Sequence, residues 1–391
     1  MSWPLVSYEE QTWQGPTSWI PRSQELARSR ARYTSAIPAE IAQATPAIDD
    51  NLAQLLESAT LELSRFDAEH GHHLHGFGPL LLRSEASSSS RIENLTASAR
   101  NVLAAELDLA TSRNSRVIVG NTRAMEAALE LAGKPDAHAI LAMHSALLPD
   151  ESTGTWRQDM VWIGTSSLSP VGADYVAPTP ERVPGLIADL ELFMERSDIP
   201  ALTLAALAHA QFETIHPFTD GNGRTGRALV QALLRHRGVT RSVAIPVSAG
   251  LLANLDHYHS ALDSYREGDI APILEAFAHA SLRAVENSRR LVSELQAVHS
   301  DWEHRLVTAK IRRDARAWDL IDALLTFPVA TAGLLAEQIG ISPTNIYPHM
   351  KRLESLGIVE KKNAYKKGSY WIAPAPLAAL DALAERAGRR E

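Results

Sequence analysis

The stretch LTLAALAHAQFETIHPFTDGNGRTGRALVQALLRHR, residues 202–237, decides the fold of this 391-residue chain. Its beginning, Leu202–Ile215, is apolar on most faces, which predicts a buried helix that stops at Pro217. Its end, Arg227–Leu234, is equally apolar, and the spacing over Arg227–Arg237 predicts a second core helix. A short polar turn usually joins two such helices, but this connection holds a histidine, a carboxylate, an amide, glycines and arginines. So dense a set of reactive side chains predicts a functional site.

The glycines of this connection predict an anion-binding loop. Gly221, Gly223 and Gly226 allow the backbone to curl so that successive N–H groups point to one spot, where the following helix also presents its positive end. Arg224 and Arg227 lie three residues apart on one side of that helix, so both guanidinium groups can hold phosphate oxygens. We therefore expect a ligand that carries phosphate.

Two further side chains of the loop supply chemistry. Asp220 is a hard oxygen ligand of the kind that Mg²⁺ prefers when it is shared with phosphates. His216 can accept a hydroxyl proton near neutral pH. Residues 221–226 also match the GxGxxG dinucleotide pattern, but that pattern requires a preceding strand in a βαβ unit, and here a helix precedes it. The sequence contains neither a Walker loop nor a kinase catalytic loop.

The run HPFTDGNGRTGR, residues 216–227, resembles the Fic signature HPFx(D/E)GNGRxxR at every defined position. The resemblance extends over Ala99–Arg290 and includes GTWR at 154–157 and VWIG at 161–164. It implies transfer of AMP from ATP to a Ser, Thr or Tyr hydroxyl of a target protein, or of the protein itself, with Mg²⁺ or Mn²⁺. Family members also move phosphate or phosphocholine, so a Fic-type phosphotransferase that uses another donor is an alternative.

The resemblance also implies a role for each residue of the loop. His216 is the general base and Asp220 is the metal ligand. Tyr258 either faces the adenine or fills the core, and we assign it to the nucleotide site. The other nucleotide contacts are Gly221, Asn222 and Gly223 at the α-phosphate and Arg224 and Arg227 at the β- and γ-phosphates, with Phe218 as an apolar anchor.

The segment SSRIEN, residues 89–94, has two interpretations. Ser90 and Glu93 form the S-x-x-E pattern of a capping box before a helical run, which gives Glu93 a structural role. The segment also resembles the Fic inhibitory motif (S/T)xxxE(G/N), with Ser89 and Glu93 at its defined positions. That resemblance implies that Glu93 pairs with Arg227 and blocks the γ-phosphate site, or activates water for AMP removal. Taken alone, the serine run 87–90 is typical of a solvated loop.

The composition restricts the remaining classes of function. A net charge of −8 argues against general electrostatic binding to nucleic acid or anionic membranes, so contact with DNA must be regional. The chain has no cysteine, which excludes thiolate metal sites and cysteine nucleophiles and agrees with a reducing compartment. The sequence has no signal-peptide pattern and no apolar run of the ~20 residues that a membrane helix needs. We therefore expect a cytoplasmic protein without membrane contact.

Apolar spacings of three and four residues recur along the chain and predict a mainly α fold. The exception is Met160–Ala177, which predicts a β-hairpin flap; the resemblance implies that this flap aligns the target as an added strand. The predicted organisation is a helical N-terminal extension with the inhibitory motif at 1–98, a Fic catalytic domain at 99–304 and a winged helix-turn-helix domain at 305–391. The helices predicted outside the central pair are Ile48–Glu69, Thr96–Thr111, Thr122–Leu131, Asp136–Leu148, Pro184–Glu195 and Ala271–His304.

The C-terminal region resembles a winged helix. Leu334–Gly340 and Ile346–Leu356 predict two helices joined by a turn, and Tyr370–Ile372 predicts a strand of the wing. Pro348 inside the expected recognition helix disfavours binding to DNA, so homodimerisation or docking of a partner has nearly equal weight. A DNA-binding transcriptional regulator is the alternative for the whole chain. The basic residues placed for contact with DNA phosphates are Lys351, Arg352, Lys361, Lys362, Lys366 and Lys367.

Overall fold

The computed structural model of the protein describes residues 3–13, 32–70, 77–109, 112–148, 154–164, 169–364 and 368–388. Within these ranges the chain is mainly helical, which confirms the predicted fold class. In chain order the helices are α1 (Asp50–His70), α2 (Gly78–Ile92), α3 (Ala99–Glu106), α4 (Arg113–Glu130), α5 (Ala137–Leu147), α6 (Val183–Met194), α7 (Ala201–Ile215), α8 (Asn222–His236), α9 (Val247–Ala253), α10 (Leu255–Arg266), α11 (Ala271–Thr308), α12 (Ala317–Thr326), α13 (Ala332–Ile339), α14 (Pro343–Ser355) and α15 (Pro374–Ala387). The strands are β1 (Ser7–Thr12), β2 (Arg32–Ile37), β3 (Trp162–Ile163), β4 (Tyr175–Val176), β5 (Val329–Thr331), β6 (Glu360–Ala364) and β7 (Gly368–Ile372).

The chain folds into two compact units, each built from three separate stretches of sequence. The first unit consists of Met1–Glu57, Ala127–Arg237 and Asp256–Ala278, and the second consists of Ser58–Glu126, Gly238–Leu255 and His279–Glu391. The domain limits at residues 98 and 304 stay predictions, and residue 304 lies inside α11.

The central helix pair α7 and α8 belongs to the first unit. α7 is buried over Leu202–Ile215, as its apolar sequence predicts. α8 begins at Asn222, five residues before the predicted start at Arg227. The glycines in its first turns have low helix propensity, but packing against α7 overrides it. A Cβ at Gly226 would lie 2.9 Å from Phe212 Cδ1 of α7, so this glycine permits the close approach of the two helices.

The first unit also contains two β-hairpins. β3 and β4 pair in antiparallel fashion with Trp162 opposite Val176, which confirms the predicted flap, although residues 165–168 of the flap lie outside the described residues. β1 and β2 pair from Ser7 opposite Ile37 onward. The expectation of a helical N-terminal extension was wrong for these strands, because β2 is rich in aromatic and β-branched residues that favour strands.

Helix α2 of the second unit corrects two predictions. The serine run 87–90 is not a solvated loop, because it lies inside α2 and Ser89 and Ser90 are fully buried. Burial is tolerated because small hydroxyl groups find partners inside the protein, as where Asn121 Nδ2 donates to Ser90 Oγ at 3.1 Å. Glu93 is the C-terminal cap residue of α2, so the expected capping box does not begin the next helix. That helix, α3, is capped by Ser98.

The C-terminal part of the second unit combines α12, α13 and α14 with a sheet of order β5-β7-β6, in which both pairings are antiparallel. α13 and α14 cover the two predicted helices, and β7 covers the predicted wing strand; the winged-helix assignment itself stays a prediction. α14 continues through Pro348. Lys351 and Arg352 are exposed, whereas Lys366 and Lys367 lie outside the described residues. No helix in the described ranges is long and apolar enough to cross a bilayer.

Candidate active site

His216 is the residue at which α7 ends and the loop to α8 begins. Its backbone is left-handed, with φ 51° and ψ 61°, and its N–H bonds to the Phe212 carbonyl at 2.9 Å. This conformation is uncommon for a residue with a side chain, and such strain is often found at functional sites. The His216 Nδ1 atom lies 3.3 Å from the Glu213 carbonyl oxygen. With the proton on Nδ1 donated to that oxygen, the lone pair of the neutral ring is on Nε2.

The side chain of Asn222 braces the loop from inside. Its Oδ1 accepts the Phe218 N–H and its Nδ2 donates to the Phe218 carbonyl, both at 2.8 Å. Phe218 is buried and stacks on His144 with ring centroids 3.7 Å apart. The Asn222 amide, predicted to contact the α-phosphate, is thus engaged within the loop. The backbone N–H groups of the first turn of α8 are the donors that a helix N-terminus offers to an anion.

One of the three glycines, Gly221, has a left-handed backbone and lies in the loop. Its φ is 78°, and a Cβ there would lie 2.8 Å from Leu147 Cδ2, so both conformation and space require glycine. Gly223 and Gly226 lie inside α8. The prediction that all three glycines curl the loop was therefore wrong, because the helix begins as early as Asn222 and supplies the N–H groups itself.

The two arginines predicted to hold phosphates are both buried, with Arg224 4% exposed and Arg227 2% exposed. Arg224 Nη2 lies 3.4 Å from each carboxylate oxygen of Asp220. The Arg224 Nε and Nη1 atoms are buried and have no hydrogen-bond partner among the described residues. A buried cation whose donors are unpaired is costly, and a bound anion would offset that cost. The loop therefore fits a phosphate group.

Asp220 lies beside Arg224 at the exposed side of the loop. Its side chain is 64% exposed, and Oδ1 accepts the Gly221 N–H at 2.7 Å. Among the described residues, no group of three or more His, Asp or Glu is arranged to hold a metal without other ligands. One exposed carboxylate does suit Mg²⁺, which usually binds through one or two carboxylates together with substrate phosphates. The residues present therefore fit a metal ion that arrives with a nucleotide.

Arg157 connects the His216 loop to the two ends of the flap, and sequence reasoning did not assign it to the site. Its backbone N–H donates to the Pro217 carbonyl at 3.0 Å, and its Nε donates to the His216 carbonyl at 2.8 Å. Its Nη1 and Nη2 donate to the carbonyls of Asp159 and Pro178 at 2.9 and 2.6 Å. Burial lowers the pKa of this guanidinium to about 10. The only sequence signal for Arg157 was its place in the GTWR segment of the resemblance.

His144 was also missed, although it supports the loop from α5. Its Nε2 lies 3.1 Å from the Asp220 carbonyl oxygen, so Nε2 carries the proton and donates it. Its Nδ1 is buried without a hydrogen-bond partner among the described residues. Burial lowers the pKa of the imidazole, and the ring stacks on that of Phe218. No pattern in the sequence separates His144 from an ordinary helical histidine.

Tyr258, assigned to the nucleotide site, is 2% exposed and bonds to His209 of α7. Its hydroxyl lies 2.7 Å from His209 Nε2. Burial, with a smaller contribution from the positive charge of Arg227, lowers the pKa of His209 to about 3, so that histidine is neutral. His209 is therefore a packed core residue. The Tyr258 ring is in the position of a core residue, and its contact with adenine stays a prediction.

The residues predicted to inhibit the site lie in the second unit. Ser89 is fully buried within α2, and Glu93 is exposed at the C-terminal end of that helix. Arg227 belongs to the first unit. The pairing of Glu93 with Arg227 therefore stays a prediction.

A model of the Fic/DOC family matches residues 134–234, which contain His216, the loop and the flap. A protein adenylyltransferase Fic from Nematostella vectensis is 32% identical over 117 residues, which cover 29% of this chain and 26% of that protein. A probable protein adenylyltransferase from Aquifex aeolicus is 32% identical over 127 residues, which cover 30% of this chain and 37% of that protein. The match thus spans only 26% to 37% of the length of these relatives.

Among solved structures, that of a Fic family protein from Desulfovibrio desulfuricans is similar to this chain with a TM-score of 0.54. The similarity covers 85% of this chain and 98% of that one at 21% sequence identity. At this identity the match concerns the fold, and it extends well beyond the residues that the family model matches.

Proposed function

We propose that this chain, whose residues 134–234 match a model of the Fic/DOC family, is a protein adenylyltransferase. It transfers AMP from ATP to a Ser, Thr or Tyr hydroxyl of a protein, its own chain included. The observation that carries the proposal is the buried guanidinium of Arg224, whose Nε and Nη1 have no described partner, in the first turn of the helix that follows the His216 loop. The named relatives in Nematostella and Aquifex support the choice of ATP as the donor.

The loop and the start of α8 hold the triphosphate in this proposal. The N–H groups of the first turn of α8 bind the α-phosphate next to Gly221. Arg224 and Arg227 hold the β- and γ-phosphates through charge-assisted hydrogen bonds, which are strong in a buried site. Asp220 is positioned to hold Mg²⁺ or Mn²⁺, an ion that offsets phosphate charge when bound.

His216 acts on the proton of the target hydroxyl. Nε2 accepts that proton as the hydroxyl oxygen attacks the α-phosphorus, a bond forms between them, and the bond from the α-phosphorus to the bridging oxygen of the β-phosphate breaks. Pyrophosphate leaves with the electron pair of the broken bond. The hydrogen bond from Nδ1 to the Glu213 carbonyl favours the tautomer with a basic Nε2 and stabilises the protonated ring after transfer.

Glu93 regulates the same site in this proposal. Its carboxylate pairs with Arg227 and competes with the γ-phosphate, so ATP binds in an unproductive orientation. The same carboxylate activates water for removal of AMP from a modified target. Glu93 lies at the C-terminal end of α2 and so does not cap the N-terminus of a helix, which supports a regulatory role.

Labelled ATP tests the proposal. Wild-type protein and Glu93→Gly are incubated with α-labelled or γ-labelled ATP, and label on protein is counted. We expect weak self-modification by the wild type, a strong increase in Glu93→Gly, and transfer of the α-label alone. Transfer of the γ-label would identify a phosphotransferase, and no transfer from either ATP would contradict the proposal. The same sample is unfolded thermally, because loss of stability without a gain in transfer would make Glu93 structural.

A second candidate function rests on α14. Lys351 and Arg352 are exposed on this helix, in the region that resembles a winged helix, and exposed cations are available to DNA phosphates. We propose DNA contact by this region as the alternative to docking of a second copy or another protein. Cytoplasmic location likewise stays a proposal.

A further inference from the structure

Helix α2 borders a cavity of about 210 Å³ within the second unit. The polar side of the cavity comes from one face of α2, where Ser84, Ser87, Ser88 and Arg91 follow one another at helical spacing. The opposite side is apolar and comes from α3, α4 and α15. Its buried side chains are Val102, Leu103, Ile118, Leu380 and Leu383. The cavity is therefore amphipathic.

The positive charge of Arg91 is not balanced by a carboxylate. Its Nη1 donates to the Ala384 carbonyl at 2.6 Å, and no described carboxylate forms an ion pair with it. The other cation of the cavity, Arg83, is paired, since its Nε donates to the two oxygens of Glu106 at 2.9 and 3.0 Å. The carboxylate of Asp381 accepts the Ala99 N–H at 3.0 Å instead of an arginine. Among the described residues that line the cavity, Arg91 is thus a cation without a carboxylate partner.

A second donor faces the same space. Arg83 Nη1 is buried and has no hydrogen-bond partner among the described residues. A buried donor without a partner costs free energy, and an acceptor inside the cavity would remove that cost. Two guanidinium groups about two turns apart on α2 therefore favour a ligand with a planar, two-oxygen acceptor, which matches guanidinium geometry.

We infer that this cavity binds a small organic acid that combines a carboxylate with an apolar body. The carboxylate lies between Arg91 and Arg83, and the apolar body packs against Val102 and Leu383. A dry cavity of ~150 Å³ is large enough for a benzene ring. The volume of about 210 Å³ therefore accommodates one ring with a short acidic arm.

Occupancy of the cavity regulates transfer, a step that rests on the proposed function. Arg91 lies two residues before Glu93, at the end of α2. A ligand that bridges Arg91 and the apolar wall of α15 holds that end of the helix in place. It therefore keeps Glu93 in its inhibitory position and lowers AMP transfer.

Direct binding tests the site without reference to activity. Phenylacetate and its uncharged isostere phenylacetamide are titrated into the full chain by calorimetry. We expect phenylacetate to bind at least tenfold more tightly than phenylacetamide, because only the acid pairs with Arg91. Equal affinities, or no binding of phenylacetate, would overturn the inference.

Variants locate the binding. Arg91→Gln should remove the preference for the acid, and Val102→Phe should exclude both compounds by filling the cavity. Arg290→Gln is the matched control, since Arg290 is exposed and pairs with Glu294 on its own helix. Phenylacetate binding that is unchanged in Arg91→Gln or in folded Val102→Phe would contradict the assignment, and Val102→Phe remains decisive if Arg91→Gln does not fold.

An activity measurement separates this inference from the proposed function. Phenylacetate should lower AMP transfer by the wild type and leave Glu93→Gly unaffected, although it binds to both proteins. If phenylacetate binds but neither protein transfers AMP, the site stands and the proposed function fails. If transfer occurs and phenylacetate does not bind, the site fails alone. If it binds and wild-type transfer is unchanged, the regulatory step is wrong.

Discussion

Two helix pairs in this chain end their first helix in the same way, with different residues. α13 ends at Gly340, whose φ is 66°, and α7 ends at His216, whose φ is 51°. Both N–H groups bond back to a carbonyl four residues earlier. Glycine adopts this conformation without cost, whereas a residue with a Cβ pays about 1–2 kcal/mol. Gly340 therefore adopts this turn without strain, whereas His216 accepts strain at the position where the proposed function needs an imidazole.

The basic residues of the second helix in each pair differ in their exposure to solvent. Arg224 and Arg227 of α8 are buried, whereas Lys351 and Arg352 of α14 are exposed. Buried charge is tolerated when an anion or hydrogen bonds offset the loss of water, whereas exposed charge needs no such partner. In the proposed function the α7–α8 pair therefore holds a ligand with buried cations, and the α13–α14 pair would contact a ligand only at its surface.

The largest expected effect is that of His216→Gly. This change removes the proposed base and relieves the backbone, so AMP transfer should fall about 100- to 10,000-fold while stability does not decrease. Transfer from labelled ATP and urea unfolding are measured on one sample. Gly340→Ala is the matched control and should lose about 1–2 kcal/mol of stability without loss of transfer. Substantial activity in His216→Gly would show that His216 is not the base.

The glycines inside the two pairs should respond in opposite directions. A Cβ at Gly226 would lie 2.9 Å from Phe212 Cδ1, so Gly226→Ala should cost about 1–3 kcal/mol of unfolding free energy. A Cβ at Gly333 in α13 meets nothing closer than 3.9 Å, so Gly333→Ala should stabilise the protein by about 0.4–1 kcal/mol. Urea midpoints give both values. Equal effects of the two changes would mean that α7 and α8 are not as closely packed as described.

The buried histidine of α7 should make the protein sensitive to acid. Since the pKa of His209 is lowered to about 3, below its value in the unfolded chain, the unfolded state takes up the proton first as pH falls. Stability should be unaffected above about pH 6.5 and should decrease by ~1.4 kcal/mol per pH unit below it, until the folded pKa is reached. Unfolding in urea between pH 7.5 and 5 measures the slope.

A variant assigns that slope to one residue. His209→Gln should have a shallower decrease in stability between pH 6.5 and 5 than the wild type. His304→Gln, which replaces an exposed histidine, should keep the wild-type slope. Identical slopes in all three proteins would exclude His209 as the source.

The smallest effect concerns DNA. If α14 contacts phosphates, the full chain should bind duplex DNA with an affinity that falls steeply as salt increases. Replacement of Lys351 and Arg352 by Gln should lower the salt slope by about one for each cation lost. Absence of binding at low salt would favour docking of a protein at this surface.

The sequence predicted the parts of the site that depend on local chemistry. Apolar periodicity predicted the helix α7, and a run of polar side chains predicted the functional loop after it. Paired apolar residues predicted the flap hairpin. The start of α8 did not follow, because glycines oppose a helix locally and packing against α7 reverses that preference. The serine run of α2 misled for the same reason, since small hydroxyls are polar by type but pack well inside a protein.

Residues that act through long-range contacts escaped prediction. His144 supports the loop by stacking on Phe218, from a helix more than 70 residues earlier in the chain. The bond between Tyr258 and His209 joins α10 to α7. The local pattern of apolar and polar residues indicates neither contact, because the partners come together only in the folded chain.

The hydrogen bonds of Arg157 determine which substitutions the site tolerates. Its side chain donates only to main-chain carbonyls, those of His216, Asp159 and Pro178. Every amino acid has a carbonyl, so mutations that replace the acceptor residues keep the acceptors. The hydrogen bonds between flap and loop therefore depend on the side chain of Arg157 alone. Substitutions at residues 159 and 178 leave them intact. Lysine, the other long basic side chain, cannot replace Arg157, because one ammonium cannot reach three acceptors in different directions.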